Sequence, residues 1–498
     1  MALLVVTVAL SGTVVRIRSA VDNAGSVAPP WFAAYVDTTL TPSYAFQDHN
    51  LNPSKDTVLS FVVSDPSNGC TPSWGGVDTL DAASTALDLD RRITELRSNG
   101  GDVIASFGGR NGSELGVACA DVSRLTSAYT QVIDRYRLST IDLDIEGAAL
   151  DDSTSVRRRA QAIATVQRSI RTGGRPLAVW LTLPVGSGGM NANALRVVDA
   201  VLGAGVDLAG VNLMTMDFGG GVGGDMLGTV EQALNAAHDQ ISAAYAHARI
   251  GLNSRHVWNH MGVTVMIGQN DIAGERFAVA DAQALVTFAS TQGMARLSEW
   301  SLNRDTQCGA DFAQIGVLSN TCSGVAQQRP LQFTEVFGQV SGDAAVAAGV
   351  VTTPDPLTTP APAVAKDDPA TSPYPIWRPQ GMYRAGYKVV WRGEVYVAKW
   401  YSQNFAPDTP GQLSWQTPWQ LVGPVLPGDR PLSVPTLATG TYPAWTATGS
   451  YPQGTKVLYQ GLPYQARYFT SGSAPDEYQT DSSESAWTPL FQIPGEPY

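Results

Sequence analysis

Residues Thr140–Gly147 read TIDLDIEG, with carboxylates at Asp142, Asp144 and Glu146 and aliphatics at Ile141, Leu143 and Ile145 between them. Side chains alternate across a strand, so residues two apart share a face. The three acids therefore line one face and the aliphatics the other. A strand of a closed parallel barrel suits both faces, with the aliphatics under an outer layer of helices and the acids turned toward the barrel axis. Gly147 and Ala148 begin a loop, which puts Glu146 at the carboxyl-terminal rim, where barrel enzymes place their chemistry.

Short β-branched runs on either side extend this reading. Candidate strands are WFAAYV (31–36), TVLSFVV (57–63), DVIASF (102–107), TIDLDI (140–145), LAVWLTL (177–183), LAGVNLM (208–214), GVTVMI (262–267) and ARLSEW (295–300). Between them lie helical patterns such as RRITELRSN and VRRRAQAIATVQRSI, with apolar residues three and four apart. Eight strands, mostly followed by a helix, match an α/β (β/α)8 TIM barrel over residues 31–342. A doubly wound sheet is the rival, but no glycine-rich phosphate loop follows the first strand.

The 498 residues allow one large domain plus smaller ones, and 44% hydrophobic residues supply an ordinary core. A net charge of −12 provides no basic stripe for nucleic acid. Of the five histidines only His256 and His260 stand four apart, and no neighbouring cysteine or H-E-x-x-H glutamate joins them, so neither a metal nor a cofactor is expected. Four cysteines without a C-x-x-C suit two disulfides, most simply Cys70–Cys119 and Cys308–Cys322. Within the first 30 residues, the apolar run Ala2–Val15 is short for a span of roughly 20 residues and fits a signal-peptide core or an anchor remnant. The expected location is therefore secreted or attached at the cell surface.

After the barrel, a spacer over 343–373 is rich in Pro, Thr and Ala and reads as a semi-stiff linker. The chain then repeats itself at an offset of 68 residues: YPIWRPQGMYRAGYKVVWRGEVYVAKWY (374–401) aligns without gaps on YPAWTATGSYPQGTKVLYQGLPYQARYF (442–469). Two small all-β units follow, over 374–422 and 442–498, with a proline-rich joint over 423–441.

Crowded carboxylates cannot all ionise freely, so at least one should keep its proton toward neutral pH and be able to act as a general acid. A calcium loop is the competing reading of D-x-D-x-E-G. It fails because Leu143 and Ile145 occupy spacer positions and Ser153 stands where the closing glutamate belongs.

With these motifs in place, the sequence resembles glycoside hydrolase family 18, the chitinases. The fourth-strand D-x-D-x-E is met by Asp142, Asp144 and Glu146, and the third-strand S-x-G-G by Ser106, Gly108 and Gly109. The sixth-strand M-x-Y-D appears as Met214, Met216 and Asp217, and the eighth-strand tryptophan as Trp300. The resemblance implies a substrate-assisted, retaining hydrolysis without metal. Glu146 would be the acid, Asp144 would hold the substrate acetamide, and Asp142 would share a proton with Asp144. Chitin or a related N-acetylglucosamine polymer would be the substrate, with no protein partner and a monomeric chain. A catalytically silent chitin-binding lectin and an endo-acting N-acetylglucosaminidase are the alternatives. The family tyrosine is Met216 here, and a thioether cannot donate its hydrogen bond. Gln269 or Asn270, at the end of the seventh strand, could supply a polar contact instead.

The repeated units resemble the small chitin- and cellulose-binding modules of families 5 and 12. That resemblance makes Trp400 with Tyr401, and Tyr468 with Phe469, the sugar-stacking pairs. Because adjacent strand residues face opposite sides, one member of each pair could be buried instead. Trp377, Trp391 and Trp419, with Trp445, Tyr459 and Trp487, are expected in the module cores.

Overall fold

Eight parallel strands close on themselves: β1 (Trp31–Asp37), β2 (Asp56–Asp65), β3 (Asp102–Gly108), β4 (Thr140–Asp144), β5 (Ala178–Pro184), β6 (Leu208–Met214), β7 (Met261–Met266) and β8 (Arg296–Trp300). Each pairs with its neighbour in sequence, and β8 returns to β1. All eight fall where alternation and β-branching place them, so the barrel is a TIM barrel. The structure is a computed structural model and describes residues 27–219, 224–310, 318–347, 367–409, 416–434, 436–475 and 485–497. Most of the expected N-terminal segment and the middle of the linker therefore lie outside the described residues.

Helices α1 (Leu89–Ser98), α2 (Val122–Arg135), α3 (Ser153–Thr172), α4 (Ala192–Gly203), α5 (Met226–His247) and α6 (Val279–Gln292) form the outer layer. Local chemistry sets several of their starts. Asp121, Asp152 and Asp225 each accept a hydrogen bond from a first-turn backbone N–H, satisfying a donor the helix itself leaves free. Ile141, Leu143 and Ile145 are fully buried in the layer between strands and helices. Inside the barrel, Trp31, Tyr35 and Trp180 surround the guanidinium of Arg296 at 5.4, 5.6 and 5.5 Å from their ring centroids. Both expected disulfides are formed, Cys70–Cys119 tying a hairpin after β2 to the loop before α2, and Cys308–Cys322 closing a loop beyond β8.

Each repeat is a three-stranded antiparallel sheet: β9 (Lys388–Trp391), β10 (Glu394–Ala398) and β11 (Trp419–Pro424), then β12 (Lys456–Tyr459), β13 (Leu462–Ala466) and β14 (Trp487–Pro489). Trp377, Trp419 and Trp487 are buried, while Trp391, Trp445 and Tyr459 pack against the same small cores. These modules have no α-helix among the described residues, and aromatic packing takes the place of a larger aliphatic core.

The first repeat is not merely tethered. Buried Asp88, just before α1, accepts hydrogen bonds from Tyr374 Oη at 2.7 Å and Lys388 Nζ at 2.5 Å. Arg91 on α1 donates to the Pro424 carbonyl at 2.5 Å and to Asp429 at 2.9 Å, and Gln47 donates to the Leu421 carbonyl at 3.1 Å. A spacer that reads as an extended linker thus leads into a module seated on the barrel wall.

Candidate active site

The carboxylate ladder begins deep in the barrel and climbs to its mouth. Strand register sets Ser106 beside Asp142 and Gly108 beside Asp144 on one side, and Thr182 beside Asp144 on the other. Asp142 is fully buried, Asp144 is nearly so, and Glu146 lines the open cleft above them. Gly108 is needed for this approach. Its φ is +107°, and a Cβ there would lie 2.0 Å from the Asp144 carbonyl oxygen. The S-x-G-G spacing is therefore explained by backbone contact, with Ser106 serving the ladder from below through a 2.8 Å hydrogen bond to Asp142.

A cleft of about 270 Å³ opens over the ladder. Trp300 forms one wall and stacks on Phe61 with centroids 5.5 Å apart and planes inclined by 20°. Tyr35, Thr182, Met214, Met216, Asp217 and Thr264 complete its inner part, and Arg110 and Asp271 pair across the rim at 2.6 Å. An apolar wall beside a set of carboxyls matches a sugar ring, which offers C–H faces as well as hydroxyls.

Electrostatics divides the acids. Burial pushes the Asp144 carboxyl well above the usual carboxylate range, Glu146 and Asp142 add to this, and Arg296 opposes it. Glu146 is also raised, first by burial, with Arg110 opposing and Asp217 and Asp271 reinforcing. Both carboxyls are therefore easier to protonate than a free carboxyl, the direction a general acid requires. Asp217 is raised as well, by burial and by Asp271.

Two expected site residues turn elsewhere. The Gln269 amide donates to the backbone oxygens of Asn270, Ile272 and Glu275. The Asn270 amide donates to the carbonyls of Met266 and Gly268. Both side chains are buried with their amide N–H groups given to backbone carbonyls, the Asn270 oxygen also accepting from the Asp217 N–H, so neither offers a donor in place of the missing tyrosine hydroxyl. The polar groups that do line that part of the cleft are Thr264, Asp217 and Asp271. Sequence reasoning missed Tyr35, Phe61, Thr182 and Arg296. Only Tyr35 left a signal, since it shares an inward face with Trp31 and Ala33.

On the modules, both members of each aromatic pair are exposed: Trp400 by 43%, Tyr401 by 41%, Tyr468 by 46% and Phe469 by 65%. Strict alternation would bury one of each. The strands end at Ala398 and Ala466, however, so the pairs sit in bends where alternation no longer applies.

No family model matches the chain. Among curated proteins it is similar to a probable bifunctional chitinase/lysozyme of Escherichia coli strain K12, 33% identical over 296 residues, or 57% of this chain and 32% of that protein. It is also similar to endochitinase 11 of Metarhizium anisopliae, 31% identical over 283 residues, or 55% of this chain and 52% of that protein. The chain thus spans about a third and about half of the lengths of these relatives. Of solved structures, the catalytic domain of a hyperthermophilic chitinase from Pyrococcus furiosus superposes with a TM-score of 0.53 at 27% identity, over 63% of this chain and 96% of that one. Catalytic-site mutants of the thermostable Pyrococcus furiosus chitinase, complexed with chito-oligosaccharides, give a TM-score of 0.52 at 27% identity over the same shares. The barrel therefore has the fold of that chitinase catalytic domain, with Asp142 and Asp144 on its fourth strand and Glu146 just beyond it.

Proposed function

We propose that the chain is an exported chitinase that hydrolyses β-1,4 bonds between N-acetylglucosamine units, with its two C-terminal modules holding insoluble polymer. The carrying observation is the ladder itself: Glu146 at the open mouth, Asp144 below it with a raised pKa, and an aromatic wall at Trp300 in the same cleft. Two disulfides are consistent with an oxidising compartment and support export.

Glu146 gives its proton to the glycosidic oxygen as the C–O bond breaks. The acetamido oxygen of the same sugar bonds to the anomeric carbon, forming an oxazolinium ion. Asp144, left ionised when Glu146 carries the proton, accepts the acetamide N–H and stabilises the positive charge. Glu146, now a carboxylate, takes a proton from water as the water oxygen attacks the anomeric carbon. The ring opens, the acetamide is restored, and Glu146 is protonated again with net retention of configuration. The cycle needs the pair to hold one proton at working pH, carried on Glu146 when the glycosidic bond breaks.

Hydrolysis of chitin oligomers by the intact chain and by Glu146→Gln tests the proposal. Release of shorter oligomers by the former and not the latter is expected. Binding of chitin without hydrolysis by the intact chain would replace the enzyme with a lectin on the same fold.

A further inference from the structure

Asp142 lies at the bottom of the ladder, and four donors from four strands converge on it. Its Oδ2 accepts from Tyr35 Oη and Ser106 Oγ, both at 2.8 Å, and its Oδ1 from Thr182 Oγ1 and Arg296 Nη1, both at 2.7 Å. The direction of these bonds follows from their neighbours. Arg296 also donates to Tyr35 Oη at 3.0 Å, and Asn212 donates to Thr182 Oγ1 at 3.0 Å. The Tyr35 and Thr182 hydroxyls thus already accept, and the single proton of each is free to point at Asp142, whose carboxylate also takes the Ser106 proton. The side chains of Arg296 and Asp142 are both 0% exposed. A neutral Asp142 would leave a buried guanidinium without a counter-charge, which is strongly unfavourable. Asp144 is the opposite case: its Oδ1 is buried with no hydrogen-bond partner among the described residues.

We propose that Arg296 is a positioning residue for the hydrolytic step, pinning Asp142 as a permanent anion and confining the ladder's exchangeable proton to Asp144 and Glu146. Asp142 then does not trade a proton with Asp144, as the family resemblance would have it. It acts as a fixed negative charge, paired with Arg296 from β8, that adds to burial and Glu146 in favouring a proton shared between Asp144 and Glu146 over two charges there. The proton's remaining surroundings are Arg110, Asp217 and Asp271 around Glu146, and Asp142 and Arg296 beneath Asp144. Arg296 opposes the rise at Asp144 and so limits how far it goes.

This inference rests on the hydrolase reading for its kinetic test, but the proton's location can be tested without turnover. The kinetic test compares the pH dependence of kcat on a soluble chitin oligomer for the intact chain, Arg296→Lys and Arg296→Gln. Removing a nearby cation should move both limbs of the Arg296→Gln profile to higher pH by about one unit, while Arg296→Lys keeps the limbs near their original positions. A fall in kcat with unmoved limbs in Arg296→Gln would reduce Arg296 to a structural role and overturn the proposal. Should the glutamine variant not fold, neutron diffraction of the unmutated protein decides the matter. Deuterium on Asp144 or Glu146 with none on Asp142 supports the proposal, and deuterium on Asp142 overturns it. An intact chain that hydrolyses nothing yet shows Asp142 bare would sink the hydrolase reading and leave the proton assignment standing.

Discussion

The barrel mouth and the two small modules both present aromatic rings, but in opposite settings. At the mouth, Trp300 is stacked on Phe61 in a concave cleft with Asp144 and Glu146. On the modules, Trp400, Tyr401, Tyr468 and Phe469 stand in bends with no raised carboxyl among the described residues of those bends. Under the proposed function, one surface encloses a sugar and changes its bonds, and the other only lies against one. A second contrast runs between the modules themselves. Gly423, which β11 carries into the first module although the joint was expected to begin there, corresponds to Phe491 in the second, and Glu394 to Leu462. Phe491 packs on Tyr464 in its own module, at 5.4 Å between centroids. Gly423 leaves room for α1, since a Cβ there would lie 2.7 Å from the Arg91 carbonyl oxygen. Two copies of one unit have thus diverged at the positions that decide whether the unit can dock.

The largest expected effect separates cutting from holding. Glu146→Gln should lower hydrolysis by about 10²–10⁴-fold and leave retention on insoluble chitin unchanged in a pull-down assay. Equal loss of both would mean that the cleft and the modules are not separate devices. Next, Trp300→Ala should raise KM for short soluble oligomers by about tenfold, with little change in the fraction bound to insoluble polymer.

Gly423→Phe writes the second module's residue into the first. It should release the first module from α1, seen as faster proteolysis at the junction and a larger radius of gyration in solution scattering. Hydrolysis of short oligomers should not change. An unaltered scattering profile would mean that the docking does not depend on this close approach. Of smaller size, Tyr468→Ala with Phe469→Ala should weaken retention on insoluble chitin a few-fold, the other module still holding.

The smallest effect is a pH dependence of docking. Burial and the charge of Glu95 on α1 raise Glu394 from 4.5 to about 7, with Arg91 opposing. A carboxyl with a higher pKa docked than free binds more protons in the docked state. Docking should therefore be fully favoured at acidic pH and weaken as pH rises from the ordinary carboxylate range through about 7. Solution scattering across that range should show the change in the intact chain and a flat response in Glu394→Gln.

Much of this molecule is legible in the chain because its signals are local. The period of two in TIDLDIEG marks both the strand and its acid face, and short runs rich in β-branched, aromatic or aliphatic residues mark the other seven strands. Aromatic spacing at an offset of 68 marks the modules. What is not legible depends on closure. Arg296 opens a strand and reads as a solvent-facing charge, and only β1, β3, β4 and β5 around it make it a buried partner of Asp142. Phe61 reads as one more strand residue until the barrel brings Trp300 onto it. Gln269 and Asn270 looked available because strand ends at a barrel mouth are where substrate contacts lie, yet their own loop's carbonyls take both amides first. The docking of the first module was masked by the prolines before it, although Gly423 against Phe491 was a signal in the repeat itself.

The most direct test of the central claim is the anomeric configuration of the first product, followed by proton NMR as the intact chain acts on a chitin oligomer. An acetamide that attacks from within the substrate, with Glu146 as sole acid and base, predicts the β-anomer first and the α-anomer only later by mutarotation. A first product in the α configuration would contradict the account.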